Sequence, residues 1–140
     1  MVLCAIAILS TAWMGDSKPL PKESPYQYLR SQLSKSLSTF TGKPETGRAI
    51  QAAGFFVGVT GIITFNNPSN AELVASLDPL RLLTETDAPF LAPKPHRGKR
   101  NEPGHAAIVF QKLAQLFPAI PEPVLRQSIL DNFSDLFGIS

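Results

Sequence analysis

The run FFVGVTGIITF, residues 55–65, constrains the fold more than any other stretch of this chain. It is almost continuously apolar, which is typical of a β-strand that is covered on both faces in a parallel sheet. The stretch before it, GRAIQAAG, predicts a short helix, because its closing Gly54 suits the left-handed residue that commonly ends helices. The sequence therefore predicts a helix that leads into a buried strand.

The same order of elements then follows a second time. Asn70 precedes AELVASL, which predicts a brief helix with a good N-cap residue. Leu80, Leu82 and Leu83 predict a short buried strand, which the dipeptide Ala88-Pro89 ends. Alternating helices and strands indicate an α/β fold with a parallel sheet and right-handed crossovers.

Two amphipathic helices are predicted after residue 103. Apolar residues at helical spacing form one face of each helix. They are Val109, Leu113, Leu116 and Phe117 in the first helix and Leu125, Ile129, Phe133 and Phe137 in the second. Each face needs a sheet or another helix to cover it, so both helices are predicted to pack on the core.

The predicted domain boundary lies between residues 38 and 39. Residues 1–38 form a divergent N-terminal segment, which is linker-like after residue 15. The apolar run Val2–Leu9 has about the length of a signal-peptide core, but no Lys or Arg precedes it, so a short buried strand or helix is predicted instead. It is also shorter than the roughly 20 apolar residues that a membrane span needs. A single cysteine, Cys4, excludes an internal disulfide, so a reducing, cytoplasmic location is expected.

Two carboxylates, Glu85 and Asp87, come at the end of the second predicted strand. In parallel α/β sheets, ligands bind beyond the carboxyl ends of the strands, so Asp87 is placed to hold a divalent metal or to accept a proton. The basic loop, residues 92–103, follows, and its cations are Lys94, Arg97, Lys99 and Arg100. An acid for a metal and cations for phosphate are what phosphoester hydrolysis requires. The other interpretation is that the acids cap a turn and that the loop is solvated surface.

Three spaced stretches of the chain resemble one known family. GFFVGVTGIITF, LLTETDAPFLAPKPHRGKRNEP and LDNFSDLFGI are similar to the C-terminal part of the TatD family of metal-dependent deoxyribonucleases, which are TIM-barrel hydrolases. The resemblance implies that residues 39–140 form a partial TIM barrel. It also implies DNA as the partner, hydrolysis of DNA phosphodiester bonds, and a divalent metal, for which Mg²⁺ is expected.

The resemblance implies a role for each candidate site residue. Asp87 occupies the position of the aspartate that ends the eighth barrel strand and belongs to the metal site, so it is the expected catalytic residue and metal ligand. Arg97, Lys99 and Asn101 become the expected contacts to the DNA phosphate. Glu85 is expected to orient its neighbours by hydrogen bonds.

The chain also departs from the family pattern. Nothing in residues 1–37 matches the family's other metal ligands, and Ser38 stands where the family has a histidine, which is a far stronger ligand than a hydroxyl. The two histidines present, His96 and His105, have no metal-site spacing and are expected to be a solvated loop residue and a surface or packing residue. The alternative is therefore a truncated, inactive remnant or splice product that binds nucleic acid or a partner protein through the basic loop.

A barrel cut to its last strands leaves an unpaired edge. The run Phe55–Phe65 is predicted to be that edge, which would make the chain poorly stable or prone to self-association. The prediction fails if residues 1–37 fold back and supply a substitute strand.

Overall fold

The structure is a computed structural model that describes residues 36–37 and 41–138. The apolar run Val2–Leu9 and Ser38 lie outside the described residues, so the predictions about them stay predictions. Within the described part of the chain, no helix is long and apolar enough to cross a membrane.

In the part of the chain that the structure describes, three parallel strands form one sheet, in the order β1-β2-β3. They are β1 (Ser36–Leu37), β2 (Phe56–Val59) and β3 (Leu82–Thr84). The register places Phe56 opposite Ser36 and Gly58 opposite Leu83. Every residue of β2 is buried. The predicted α/β fold with a parallel sheet is confirmed.

The prediction of an open edge along residues 55–65 is wrong. β2 is the central strand, because β1 pairs with it on one side and β3 pairs with it on the other. Residues 36–37 thus supply the substitute strand that the sequence analysis named as the alternative to an open edge. Self-association through a strand edge stays a prediction.

Both predicted strands are shorter than their apolar runs. β2 ends at Val59, and Gly61–Thr64 form a 3₁₀ turn. The turn lies against the start of the basic loop, since an ideal Cβ on Gly61 would be 3.0 Å from the Leu91 carbonyl oxygen and 3.2 Å from the Cβ of Pro93. Leu80 belongs to a second 3₁₀ turn, Pro79–Arg81, and is 49% exposed. Close packing at one site and a local turn at the other therefore override the apolar pattern.

The described residues form four helices around the sheet: α1 (Pro44–Ala52), α2 (Pro68–Ala75), α3 (Ala106–Leu116) and α4 (Glu122–Phe137). Gly54, just after α1, has φ +90°, as its predicted capping role requires. The predicted N-cap of α2 is wrong, because Asn67 caps it and accepts a hydrogen bond from the Ser69 backbone nitrogen at 3.2 Å. Asn70 instead donates its side-chain amide to the Ile62 carbonyl oxygen at 3.3 Å.

The two faces of the sheet bury different clusters. Val57, Val59 and Leu82 pack with α3 and the first half of α4. Phe56 and Leu83 point to the other face and pack with the end of α4. The predicted apolar face of α4 is confirmed, since Leu125, Ile129, Phe133 and Phe137 are all buried. In α3, Val109 and Leu113 are buried, whereas Leu116 and Phe117 are partly buried.

Asn132 ties α4 to the start of β3. Its side chain is 7% exposed, and its amide nitrogen donates to the carbonyl oxygens of Leu80 and Leu82, each at 2.9 Å. A buried amide that serves two carbonyls fixes where the helix lies against the strand.

We predict that Asn132→Ala lowers the free energy of unfolding by about 2 kcal/mol, because the change removes two hydrogen bonds and takes a donor from the buried Leu82 carbonyl. Urea denaturation followed by circular dichroism measures the change. Asp135→Ala, an exposed residue of the same helix, is the control and should stay within about 0.5 kcal/mol of the parent chain. Equal unfolding midpoints for all three proteins would contradict the role of Asn132.

Candidate active site at the carboxyl ends of the strands

The carboxyl ends of β2 and β3 hold the two candidate acids in place. The backbone nitrogen of Glu85 donates to the Val59 carbonyl oxygen at 2.9 Å, which extends the pairing of the two strands past Thr84. Glu85 therefore leaves the sheet with the geometry of a strand residue, and Asp87 follows two residues later. Both acids lie where ligands bind in parallel α/β sheets.

Glu85 lies over the backbone of the neighbouring strand. It is 1% exposed, and an ideal Cβ on Gly58 would be 2.5 Å from its Oε1 and 2.7 Å from its Cδ. Only a glycine leaves room for this carboxyl group, so Gly58 and Glu85 fit as a pair. The burial agrees with a positioning task for Glu85, which stays a prediction.

Asp87 is half-buried, in contrast to Glu85. Its carbonyl oxygen accepts a hydrogen bond from the Phe90 backbone nitrogen at 2.7 Å, which turns the chain sharply after the strand. Both Glu85 and Asp87 have interaction partners. The turn keeps Asp87 at the edge of the sheet, where it is partly open to solvent.

Two threonine hydroxyls are buried beside the acids. Thr60 follows β2 and Thr86 lies between the two acids, and each is 1% exposed. Within the described residues, neither hydroxyl oxygen has a hydrogen-bond partner. Since a buried polar group without a partner costs about 1–3 kcal/mol, this polar edge is suited to water or a polar ligand that would complete it.

Asn101 closes the basic loop. It is 2% exposed, its backbone nitrogen donates to the Pro89 carbonyl oxygen at 3.0 Å, and its side-chain nitrogen donates to the Phe90 carbonyl oxygen at 2.7 Å. Its Oδ1 accepts from the Glu102 backbone nitrogen at 2.9 Å. A phosphate contact by Asn101 stays a prediction, but in this structure the amide faces inward and holds the loop.

His105 continues the contacts of Asn101. Its Nδ1 lies 2.8 Å from the Asn101 Oδ1 and 3.3 Å from the Glu102 backbone nitrogen. The amide nitrogen of Asn101 is committed to the Phe90 carbonyl, so Oδ1 is an acceptor and Nδ1 of His105 must carry the proton. The shorter contact, from His105 Nδ1 to Asn101 Oδ1, is therefore the hydrogen bond.

The two histidines stack, which the sequence reasoning missed. The rings of His96 and His105 are 4.5 Å apart at their centroids and differ by 11° in plane. Both side chains are half-buried, so His96 is not simply a solvated loop residue. Asn101 and His105 are four residues apart, a helical spacing that could have indicated their contact, but no local signal pairs His96 with His105.

The Arg97 guanidinium lies over an aromatic ring. Its guanidinium carbon is 3.9 Å from the centroid of Phe65, which follows the 3₁₀ turn after β2. Lys94 fixes the same contact between loop and turn, because its backbone nitrogen donates to Thr64 Oγ1 at 2.9 Å and its side chain bonds to Asn66. Arg97 is exposed, and the structure gives its guanidinium no carboxylate partner among residues 41–138.

The remaining predicted residues stay at the surface. Lys99 and Arg100 are exposed on the loop beyond Arg97. No group of three or more His, Cys, Asp or Glu side chains in the described part of the chain is arranged to hold a metal ion. The structure thus brings together the strand ends, the two acids and the loop, but the described residues offer Asp87 without a full set of companion ligands.

A protein-family model described as TatD related DNase matches residues 25–138. The uncharacterized metal-dependent hydrolase YcfH of Escherichia coli K12 is 42% identical over 104 residues, which are 74% of this chain and 39% of YcfH. The uncharacterized metal-dependent hydrolase YabD of Bacillus subtilis is 42% identical over 78 residues, which are 55% of this chain and 31% of YabD. The chain therefore spans about two fifths or less of the length of these relatives.

Solved structures agree with the family match. YJJV, a TatD homolog from Escherichia coli K12, superposes with a TM-score of 0.69 and 28% identity, over 82% of this chain and 45% of that chain. A TatD family hydrolase from Entamoeba histolytica gives a TM-score of 0.63 over 82% of this chain and 47% of its own. It is 17% identical, so it supports the fold alone.

We predict that Gly58→Ala lowers the free energy of unfolding by about 2 kcal/mol, because its methyl group would overlap the Glu85 carboxyl group. Gly104→Ala is the matched control, since a Cβ there meets nothing within 4 Å, and it should be nearly neutral. Urea denaturation of both variants measures the difference.

Introducing Gly58→Ala into a Glu85→Ala variant tests whether the Glu85 carboxyl group causes the loss of stability. With the carboxyl group removed, Gly58→Ala should cost at least about 1 kcal/mol less than it does in the parent chain. Additive losses in this double-mutant cycle would show that Gly58 does not make room for Glu85.

Proposed function

The chain belongs to the family of TatD-related DNases, as its motifs predicted, and we propose that it contributes to metal-dependent hydrolysis of DNA phosphodiester bonds. The observation that carries the proposal is the position of Asp87. This acid is half-buried at the carboxyl end of β3, and the exposed cations of the basic loop follow it.

We propose that the three strands are part of a TIM barrel. The face of the sheet that carries Val57, Val59 and Leu82 is covered by α3 and α4, as the outer face of a barrel strand is. Gly58 and Glu85 lie on the opposite face, which would be the barrel interior. In a barrel, each strand has an apolar outer face that helices cover and an inner face that points into the barrel.

Asp87 would be the ligand that this chain gives to a divalent metal, for which we propose Mg²⁺. A metal in such a site neutralises charge on the phosphoryl group and lowers the pKa of a bound water. One carboxylate does not complete a hydrolytic centre, and the described residues contain no cluster of three candidate ligands. The remaining ligands would have to come from outside residues 41–138.

The basic loop would hold the phosphate backbone. The contact with Phe65 restrains the Arg97 side chain, and its N–H groups have no carboxylate partner among residues 41–138, so they would be available to phosphate oxygens. Lys99 adds a point charge on the same loop. Asn101 and Glu85 act indirectly in this proposal, since the first closes the loop and the second fills the space over Gly58.

A second candidate function is binding of nucleic acid without hydrolysis. The observation that favours it is the difference between the groups available for phosphate and those available for a metal. The basic loop offers several exposed cations, whereas among the described residues Asp87 is not part of a cluster of three candidate metal ligands. The two functions differ in their dependence on Asp87, since electrostatic binding needs the cations and hydrolysis also needs the acid. A cytoplasmic location stays a prediction.

We predict that Asp87→Asn reduces metal-dependent release of nucleotides from DNA by at least about 100-fold. Loss of a residue that hydrogen-bonds to a metal ligand costs about 10- to 100-fold in activity, and loss of the ligand itself should cost more. Release of acid-soluble nucleotides from single- and double-stranded DNA, with and without Mg²⁺, measures it. Asp135→Asn, an exposed acid near the end of α4, should keep the parent rate. Equal rates in the parent and Asp87→Asn would contradict the role of Asp87, and no hydrolysis by the parent would favour the second candidate.

We predict that Arg97→Gln weakens binding of DNA about fivefold at low salt and lowers the slope of log affinity against log salt by about one. Fluorescence anisotropy of a labelled oligonucleotide in EDTA measures both.

Arg126→Gln is the matched control for Arg97→Gln. Arg126 also lies over an aromatic ring, 4.3 Å from the Phe110 centroid, but it is paired with Glu122 at 2.7 Å on α4. The Arg126→Gln substitution should leave the slope of log affinity against log salt unchanged. Equal losses in the two variants would mean that overall charge, and not the loop, attracts DNA.

A further inference from the structure

We infer that Phe90 stacks on the base of an unpaired nucleotide, so that the site takes single-stranded nucleic acid in preference to a duplex. The inference rests on the proposed function, because it takes the basic loop as the phosphate contact. It adds a residue that reads the base, whereas Arg97 and Lys99 would read the backbone alone.

Phe90 is unusually exposed for a large aromatic residue. Its exposed fraction is 70%, higher than that of every other large apolar residue described, with Val124 next at 52% and Leu80 at 49%. A phenylalanine has no polar atom that would favour this exposure, so the ring gains by stacking on another flat apolar surface. Every nucleobase offers such a surface when it is not paired.

The backbone of Phe90 is held on both sides. Its nitrogen donates to the Asp87 carbonyl oxygen at 2.7 Å, and its carbonyl oxygen accepts from the Asn101 amide at 2.7 Å. The next residue, Leu91, has φ +53°, a left-handed conformation that costs a non-glycine residue free energy. An exposed ring on a backbone that is both strained and pinned by hydrogen bonds is preorganised, which lowers the entropy cost of binding.

One chain of contacts joins Phe90 to the cation that would hold the phosphate. Asn101 bonds to the Phe90 carbonyl and to His105, and His105 stacks on His96. His96 directly precedes Arg97, which lies on Phe65. The backbones of Asp87 and Phe90 and the segment that carries Arg97 thus belong to one hydrogen-bonded and stacked unit, which fixes where the ring of Phe90 is attached relative to the cation. A platform for a single strand combines an aromatic ring with a cation in this way.

The test measures binding in EDTA, so that hydrolysis does not intervene. A labelled oligothymidylate and a GC-rich blunt duplex of equal length are titrated with the full chain, Phe90→Ala, Phe90→Leu and Phe90→Trp. Alanine and leucine should each weaken binding of the single strand about tenfold, because leucine keeps apolar area but has no ring, while tryptophan should retain it. Binding of the duplex should stay the same in all four proteins.

Two controls separate stacking from folding. Val124→Ala removes another exposed apolar side chain, on α4, and should leave binding of the single strand unchanged. Thermal unfolding of Phe90→Ala should match that of the parent chain, because the ring is largely solvated. Phe90→Trp also reports directly, since its fluorescence, compared with that of the parent and its single Trp13, should be quenched by oligothymidylate.

Equal affinity of the Phe90 variants for the single strand would overturn the inference, and so would equal losses on single strand and duplex. Absence of oligothymidylate binding by the parent chain would overturn it as well. None of these results decides the proposed hydrolysis, which is judged by the metal-dependent reaction of the parent and Asp87→Asn.

Discussion

The hydrogen bonds of the Asn101 side-chain amide hold together the segments at the carboxyl ends of the strands. One buried group donates to the Phe90 carbonyl and accepts from the Glu102 backbone and His105. These partners belong to the turn after Asp87, to the basic loop and to the start of α3. Because a buried amide with one unsatisfied end is costly, the three segments hold their positions together and none shifts alone. The loop that carries the cations is therefore as fixed as the strand that carries the acid.

The second constraint is the close approach of Glu85 to β2. A parallel register sets Gly58 opposite Leu83, and side chains two residues apart on a strand share a face, so Glu85 lies over the glycine of the next strand. The carboxyl group takes the volume that a side chain at position 58 would otherwise fill. A buried acid at this place shields the edge of the sheet from solvent without apolar packing, and it leaves the half-buried Asp87 as the acid that a ligand can reach.

The sequence predicted the features that depend on local periodicity. The helical spacing of Leu125, Ile129 and Phe133 and the order of helices and strands were enough to predict α4 and the parallel sheet. The position of Asp87 followed from the end of its strand. Strand lengths were not predictable, because β2 stops where Gly61 lies against Leu91, thirty positions further along the chain.

The contacts that build the loop were hidden from the sequence for the same reason. Arg97 on Phe65 and Lys94 on Thr64 join positions about thirty residues apart, and no periodicity relates them. Asn101 was predicted as a phosphate contact because the resemblance to the family implied one at its position in the basic loop. Its burial is a property of the folded loop, where carbonyl groups that the Pro89 turn exposes need a donor.

These constraints bear on how binding and hydrolysis are divided in this chain. The elements that would hold nucleic acid are the ring of Phe90 and the guanidinium of Arg97. The Asn101 amide holds the backbone of Phe90, and Phe65 lies under Arg97. A metal centre has a different requirement, because its ligands must converge from several strand ends, and β3 provides only Asp87. A nucleic-acid contact can therefore be complete within the described residues, whereas a hydrolytic centre depends on strand ends outside them. It follows that the affinity for a single strand and the rate of hydrolysis should respond to different substitutions.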